Sequence, residues 1–421
     1  MSDIDDEPPQ LFDSSSLSTA PQAGPSSVPV GDIYDRRKVP ITLLTGYLGA
    51  GKSTLLQYIL TAEHGYKIAV CMNDFGDTTD IEAKSLMLSD PTTQTTSSSF
   101  LSLPNGCLCC SVKEPGIAAI EEMVATAPGG VDWVVVELTG VADPGPIVRT
   151  FWANEEMGDL ILDGVICVVD SRNVLKQLSE ERAEGEINEC QKQVACADVI
   201  LLNKVDLVTP EQLSNVEKSV RTLNPTLRVH HTTQSRMPLG ELFNIRAFTD
   251  SAGSGIRESQ LIQANDTRTC HDDETCQHDH NHGHSHDYNH EEGEEQQHLP
   301  HHSRITTTLV PLPSSGLTKP QFTKCNEFLE SILWAGKYPS ETGEEAPNIL
   351  RTKGYIVEED GTAHVLQGVE DLFELKAVPA AMEDAEEGGS GSVSDNGKVV
   401  FIGRGVGEGL KARFIQYVGL E

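Results

Sequence analysis

The sequence is short of positive charge. It carries 31 lysines and arginines against 64 aspartates and glutamates, which gives a formal net charge of -33. So acidic a chain repels phosphate backbones and anionic lipid surfaces. Nucleic acid and membrane are therefore excluded as expected partners, and cations or basic proteins are favoured.

Long apolar runs are also missing, and no secretory signal is expected. No apolar run approaches the roughly 18 residues that span a bilayer, and the N-terminus, MSDIDDEPPQ, is acidic where a secretory signal is basic and then apolar. Ten cysteines without such a signal predict reduced thiols in the cytosol, or also in the nucleus. Clustered cysteines then indicate metal binding or catalysis rather than disulfides.

The composition and the apolar pattern along the chain predict four segments. Residues 1–37 are acidic, rich in serine and proline and poor in aromatics, which is typical of a disordered tail. Residues 38–248 hold short β-branched apolar runs that alternate with helical patterns, so we expect an α/β domain with a mainly parallel sheet. Residues 249–303 form a histidine-rich linker, and 304–421 a small α+β domain.

The first motif with a chemical mechanism is GYLGAGKST, which follows one apolar run and precedes a helical pattern. In this context it predicts a P-loop, whose backbone amides bind phosphate oxygens. Lys52 is expected to reach the β- and γ-phosphates, and Ser53 to give a hydroxyl to Mg²⁺. An ordinary glycine-rich turn is the disfavoured alternative. The predicted nucleotide-binding residues here are Gly46, Tyr47, Leu48, Gly49, Ala50, Gly51, Lys52, Ser53 and Thr54.

A second motif, NKVD, supplies Asn203, Lys204 and Asp206 at the end of a later apolar run. One aspartate accepts hydrogen bonds from both N1–H and the N2 amino group of guanine, whereas adenine offers no such donor pair, so a site of this kind discriminates strongly. Alone the pattern is weak, and a strand-to-turn cap is the alternative. After a P-loop it predicts GTP rather than ATP, which opposes an ATP-dependent kinase.

Between these motifs, ELTG places Glu137 and Gly140 at the end of another strand-like run. GTPases need an acid and a flexible glycine here, to hold the Mg²⁺ shell and to respond to the γ-phosphate. Glu137 stands where aspartate is more usual, and a simple strand-terminating glutamate is the alternative. We predict Lys52 and Glu137 as the catalytic residues, with Ser53 and Glu137 around magnesium.

Three cysteines, Cys107, Cys109 and Cys110, lie in NGCLCC between the P-loop and Glu137. Thiolates are soft ligands, and three of them fill three of the four positions that Zn²⁺ prefers. An incomplete shell suits a metal that is passed on. A redox pair, a structural site completed elsewhere and three independent thiols are the alternatives. The remaining cysteines in apolar or helical surroundings, Cys71, Cys167, Cys190, Cys196 and Cys325, are interpreted as packing residues.

The order GYLGAGKST, CLCC, ELTG and NKVD resembles the CobW family of metal-handling P-loop GTPases, in particular its zinc-regulated GTPase metalloprotein activator branch. The resemblance covers roughly residues 39–248 and 304–421. It implies a zinc metallochaperone driven by GTP hydrolysis, with Cys107, Cys109 and Cys110 as the metal motif. Cobalt is a family-level alternative. One departure is Asp74, where the family has glutamate.

The resemblance also implies a client enzyme, methionine aminopeptidase, docked through an N-terminal motif centred on Pro-x-Leu-Val. Here Pro9, Leu11 and Phe12 match that motif in part, with Phe12 in place of valine.

The linker contains ten histidines between His271 and His302. Imidazoles near carboxylates collect Zn²⁺ without fixed geometry, so this segment is either a weak metal reservoir or a solvated insert. A reservoir would favour a second function, a zinc buffer with little GTP turnover. The predicted weaker ligands are His278, His280, His282, His284 and His286.

Overall fold

The structure is a computed structural model whose described residues are 38–62, 64–71, 85–90, 95–100, 115–127, 129–182, 186–248, 305–340, 342–378 and 397–420. Several predictions from sequence lie outside these residues and stay predictions. They concern the tail 1–37 with Pro9, Leu11 and Phe12, the linker 249–303 with its histidines, Asp74, and the cysteines Cys107, Cys109 and Cys110.

Most of the first sheet follows from the apolar runs. Its strands are β1 (Val39–Thr45), β2 (Ile68–Cys71), β3 (Ser85–Asp90), β4 (Thr95–Phe100), β5 (Trp133–Glu137), β6 (Leu160–Asp170), β7 (Val199–Asn203) and β8 (Arg228–Thr232). Their spatial order is β4-β3-β2-β5-β1-β6-β7-β8. Every neighbouring pair from β2 across to β8 is parallel, so the predicted mainly parallel sheet is confirmed. Every residue of β7 is buried, as expected for a strand covered on both faces.

Helices connect these strands. They are α1 (Lys52–Thr61), α2 (Pro115–Thr126), α3 (Gly145–Ala153), α4 (Val174–Ser179), α5 (Glu189–Cys196) and α6 (Pro210–Leu223). The sequence signal is clearest at α6, where Thr209 and Gln212 form a capping box and proline follows the cap.

An antiparallel extension at one edge was not predicted. β3 pairs antiparallel with β2, and β4 pairs antiparallel with β3. The sequences SLMLSD and TTSSSF lack the continuous apolar run of the other strands. Their pairing depends on the neighbouring β2, which a local pattern does not reveal.

The second sheet forms the C-terminal α+β domain, as predicted. It contains β9 (Ile305–Pro311), β10 (Asn348–Val357), β11 (Ala363–Val369), β12 (Leu372–Val378) and β13 (Lys398–Arg404), with helices α7 (Lys319–Leu333) and α8 (Glu408–Val418). Its order is β12-β11-β10-β13-β9, antiparallel throughout. Phe328 of α7 meets Phe414 of α8 edge to face, with ring centroids 5.1 Å apart, in the core beneath the sheet. The sequence itself predicts β9 from RITTTLVPL, α7 from KPQFTKCNEFLESILW, β13 from KVVFIGRG and α8 from VGEGLKARFIQYV, but it does not predict the meander β10–β12.

The two sheets share an apolar interface beside α5. Ile187 and Ala195 pack there against Ile305, Leu350, Val400 and Ile402. Within the described residues, no helix is long and apolar enough to cross a membrane.

A buried ion cluster lies in the same interface. The carboxylate of Asp198, between α5 and β7, accepts hydrogen bonds from Arg351 and from Lys353 Nζ at 2.8 Å, both on β10. All three side chains are buried, and the Arg351 guanidinium also stacks 4.7 Å from the Phe248 ring centroid. Burial alone would raise the pKa of Asp198, but Arg351 and Lys353 hold it below its usual range. This contribution to stability is therefore present above the ordinary carboxyl pKa of about 3.9 and is lost as the pH falls below it.

Replacing Asp198 by asparagine should destabilise the protein by about 3–5 kcal/mol at neutral pH, because two buried cations lose their counter-charge. Glu344→Gln is the matched control, since Glu344 pairs with Arg413 at the exposed surface. We expect the control to cost less than about 1 kcal/mol. Urea unfolding at pH 7 measures both, and equal losses would show that the buried cluster does not hold the domains together.

Candidate nucleotide site

The predicted P-loop forms the turn between β1 and α1. Gly46, Gly49 and Gly51 have φ angles of 140°, 76° and 116°, which side chains strongly disfavour. At Gly46 a Cβ would lie 2.2 Å from the carbonyl oxygen of Val168 in β6. Glycine therefore lets the loop pass against the neighbouring strand and turn back over the sheet edge.

The start of α1 is open to an anion. Its N-cap is Gly51, no side chain caps it among the described residues, and its first turn carries no acidic residue. The amides of the first turn and the positive end of the helix dipole are thus available to phosphate oxygens. Ser53 and Thr54 are exposed at this end, as their predicted roles require.

Lys52 is the charged group inside this cradle. Its side chain is buried, and Nζ donates a hydrogen bond to the carbonyl oxygen of Gly46 at 2.8 Å. Burial lowers the pKa of Lys52, while the nearby Glu137 carboxylate opposes that shift. The ammonium is therefore already held over the loop whose amides would bind the phosphates.

Asn203 joins the second motif to the P-loop. Its Nδ2 donates to the Ala50 carbonyl at 2.9 Å, and its Oδ1 accepts from the Ser235 amide at 2.8 Å and the Thr232 hydroxyl at 3.2 Å. Asn203 is 2% exposed. Its side chain thus holds three segments together. Asn203 therefore supports the predicted site from its buried side.

Lys204 makes a second connection. It adopts a left-handed backbone conformation, and its Nζ donates to the Gly49 carbonyl and to Asp170 Oδ2, both at 2.7 Å. Asp206 follows in a 3₁₀ turn with its side chain exposed. The two predicted groups that would meet phosphate and base, the P-loop and Asp206, therefore lie on directly bonded segments.

Two residues at this edge were missed by the sequence analysis. Asp170 ends β6; burial would raise its pKa, but hydrogen bonds from Lys204, Asn173 and the Arg172 amide hold it below its usual range. Ser235 is fully buried, and its hydroxyl donates to the Gly51 carbonyl at 3.1 Å. The available signal for Asp170 was a lone acid ending an apolar run; Ser235 had none beyond a polar turn.

The ELTG segment lies directly against the P-loop. A Cβ on Gly140 would stand 2.8 Å from the Leu48 amide nitrogen and 2.5 Å from Leu48 Cδ2, so glycine is needed for the approach. Glu137 is half-buried at the end of β5, and its charge acts on Lys52. A displacement of the ELTG segment must therefore also displace the P-loop.

Some of the predicted metal ligands lie within the described residues and others lie outside them. Ser53 and Glu137 offer hydroxyl and carboxylate oxygens, the donor type that Mg²⁺ prefers. The described residues contain no group of three or more His, Cys, Asp or Glu that could hold a metal. Burial raises the pKa of the described cysteines Cys71, Cys190 and Cys325 to about 12, so they are protonated thiols, in agreement with their interpretation as packing residues.

The P-loop geometry predicts unequal costs at two glycines. In Gly49→Ala the new Cβ meets no protein atom within 4 Å, whereas in Gly51→Ala it lies 2.4 Å from Asn203 Nδ2 and 3.0 Å from the Ser235 hydroxyl. Both variants pay about 1–2 kcal/mol for a left-handed alanine. Gly51→Ala should lose about 1–3 kcal/mol more, because it displaces the buried Asn203 amide. Urea unfolding without nucleotide measures the difference, and equal losses would contradict the bracing role of Asn203.

Comparisons with known proteins agree with this geometry. The nucleotide-binding domain of the CobW/HypB/UreG family matches residues 40–231. Zinc-regulated GTPase metalloprotein activator 1 of Schizosaccharomyces pombe is 32% identical over 395 residues, covering 88% of this chain and 89% of that protein. The protein of the same name from Saccharomyces cerevisiae is 31% identical over 369 residues, covering 82% and 77%.

Among solved structures, Zn(II)-bound YjiA GTPase from E. coli matches with a TM-score of 0.58 at 24% identity, covering 91% of this chain and 99% of that one. This likeness establishes the fold. The sequence relatives, aligned over most of both chains, establish the family: the chain belongs to the CobW family of P-loop GTPases, in the branch of the zinc-regulated GTPase metalloprotein activators.

Proposed function

We propose that this protein is a metallochaperone that uses GTP binding and hydrolysis to load zinc into a client metalloenzyme. The observation that carries the proposal is the pair of connections from Asn203 and Lys204 to the P-loop backbone, at Ala50 and Gly49. They make the phosphate cradle and the predicted guanine-reading turn one unit. The relatives named zinc-regulated GTPase metalloprotein activator support the coupling of that unit to zinc.

The chain's own residues would divide the work at the nucleotide. The amides of the P-loop and of the first turn of α1 bind the β- and γ-phosphates, and Lys52 neutralises charge on them. The Asp206 carboxylate pairs with N1–H and the N2 amino group of guanine. Ser53 and Glu137 would hold Mg²⁺, which would neutralise part of the negative charge on the transferred phosphoryl group.

Zinc would be the cargo. Cys107, Cys109 and Cys110 lie in sequence between β4, which ends at Phe100, and α2, which begins at Pro115. Three thiolates leave one of the four positions around Zn²⁺ for a ligand of the client, which permits transfer. GTP binding organises the thiolates and captures the ion; hydrolysis relaxes them and releases it. The thiolates must stay reduced, which places this cycle in the cytosol or nucleus.

The client we propose is methionine aminopeptidase, docked on Pro9, Leu11 and Phe12. The name of these relatives, metalloprotein activator, supports a metalloenzyme as the client. The linker histidines His278, His280, His282, His284 and His286 would act as weak collectors of zinc. A zinc buffer with little turnover and a cobalt chaperone are the competing functions.

Zinc affinity measured in three nucleotide states tests the proposal. We expect the complex with a non-hydrolysable GTP analogue to bind one Zn²⁺ at least about tenfold more tightly than the GDP complex, because coupling between two sites typically spans this range. Competition with a chromophoric chelator gives the affinities of the nucleotide-free, analogue-bound and GDP-bound protein.

The control is Cys107→Ser/Cys109→Ser/Cys110→Ser, which should abolish the difference while leaving any weak histidine sites. If zinc affinity is equal in all three states, the protein is a buffer and the proposed cycle is wrong. A tenfold preference for Co²⁺ over Zn²⁺ in the same assay would replace the cargo but keep the cycle.

A further inference from the structure

Helix α5 carries a fully buried glutamine that faces the loop after Glu137. Nε2 of Gln193 donates hydrogen bonds to the Gly140 carbonyl at 3.0 Å and the Ala142 carbonyl at 3.2 Å. Gln193 is 0% exposed, and among the described residues its Oε1 has no hydrogen-bond partner. Losing either donated bond would leave a buried polar group unpaired, which costs free energy. The two bonds therefore hold residues 140–142 in place.

The neighbouring residue, Lys192, also holds this segment. Lys192 Nζ lies 2.7 Å from Asp143 Oδ2, and Asp143 Oδ1 accepts from the Gly145 amide at 3.1 Å, where α3 begins. The segment from Gly140 to Gly145 is therefore attached to α5 at three points. Gly140 also lies against Leu48 of the P-loop. This segment therefore connects α5 directly to the P-loop.

The opposite face of α5 belongs to the C-terminal domain. The Gln191 side-chain oxygen accepts from the Ile305 amide of β9 at 3.0 Å, and Ala195 packs into the apolar interface with Leu350. Gln191 and Ala195 are four residues apart, so they share one side of the helix. Directly beyond the helix, Asp198 receives Arg351 and Lys353 from β10.

A second contact joins the C-terminal domain to α3, the helix that begins at Gly145, where this segment ends. Arg149 of α3 forms a two-bond ion pair with Asp371, next to the left-handed Glu370. These contacts border a cavity of about 630 Å³ lined by Asp143, Arg149, Lys192 and Glu370. α5 thus holds the segment, and the C-terminal domain holds the helix that follows it. Open space lies beside both, which a close-packed interface would lack.

We propose that Gln193 is a positioning residue for the γ-phosphate-sensing segment Glu137–Gly140, and that α5 couples the C-terminal domain to the choice between GTP and GDP through it. The inference rests on the proposed nucleotide site. The two states it requires are two positions of residues 140–142, and the C-terminal domain biases them through Gln191, Ala195 and Asp198.

A double-mutant cycle tests the coupling, with Gln193→Met removing both donated bonds at similar volume. Lys353→Met removes one of the two cations on Asp198 and leaves the Arg351 pair balanced. Arg413→Met is the matched control, because Arg413 contacts Glu344 and Tyr338, away from α5. Fluorescence titration of the full-length protein gives the ratio of GTP-analogue affinity to GDP affinity for each variant.

We expect Gln193→Met and Lys353→Met each to change that ratio by at least about fivefold, and the double variant to match Gln193→Met alone. Arg413→Met should leave the ratio unchanged. Effects that multiply in the double variant, or equal losses of both affinities without a change in ratio, would overturn the inference.

Two further outcomes are separable. If the wild-type protein binds neither nucleotide, the proposed function fails rather than the coupling. If Gln193→Met does not fold, Lys192→Met replaces it, since Lys192 holds the same segment from a partly exposed position. An unchanged ratio in Lys192→Met, together with an unchanged ratio in Lys353→Met, would then overturn the inference.

Discussion

The sheet edge that carries the P-loop depends on the hydrogen bonds of one buried amide, that of Asn203. It bonds the P-loop at Ala50, the end of β8 at Thr232 and the following turn at Ser235. Parallel strands bring these three segments to one edge, but strand order alone leaves their loops free. One side chain with a donor and an acceptor on opposite sides satisfies them together, and Gly51 provides the room for it.

The second constraint is electrostatic. In a chain with a net charge of -33, the interface between the two sheets buries two cations around one carboxylate. Such a cluster is expensive to desolvate and tolerates little separation of its members. It therefore fixes the C-terminal sheet against the end of α5, whose other contacts reach the Glu137–Gly140 segment. The proposed nucleotide site of the first domain is thus joined through α5 to the C-terminal domain.

The parallel sheet and the P-loop could be predicted from the sequence because their signals are local. The run VILLN gave a fully buried strand, and the spacing of Gly46, Gly51 and Lys52 gave a strand–loop–helix turn. What sequence did not give depends on partners far along the chain. Asn203 was expected at the base, yet its environment is set by residues about 150 and 30 positions away. In the sequence Gln193 and Asp198 are ordinary polar residues. Gln193 becomes important only when α5 packs against the loop after Glu137, and Asp198 only when the C-terminal domain packs beside it. Strands β3 and β4 lacked apolar runs and were missed for that reason.

The central claim is that nucleotide and zinc bind to one coupled system, and coupling of this kind is reciprocal. The most direct measurement is the affinity of the protein for a GTP analogue, taken once with zinc saturating and once with zinc removed by a chelator. The account predicts that zinc tightens analogue binding by the same factor by which the analogue tightens zinc binding, and that GDP affinity changes much less. Identical analogue affinities with and without zinc would contradict it.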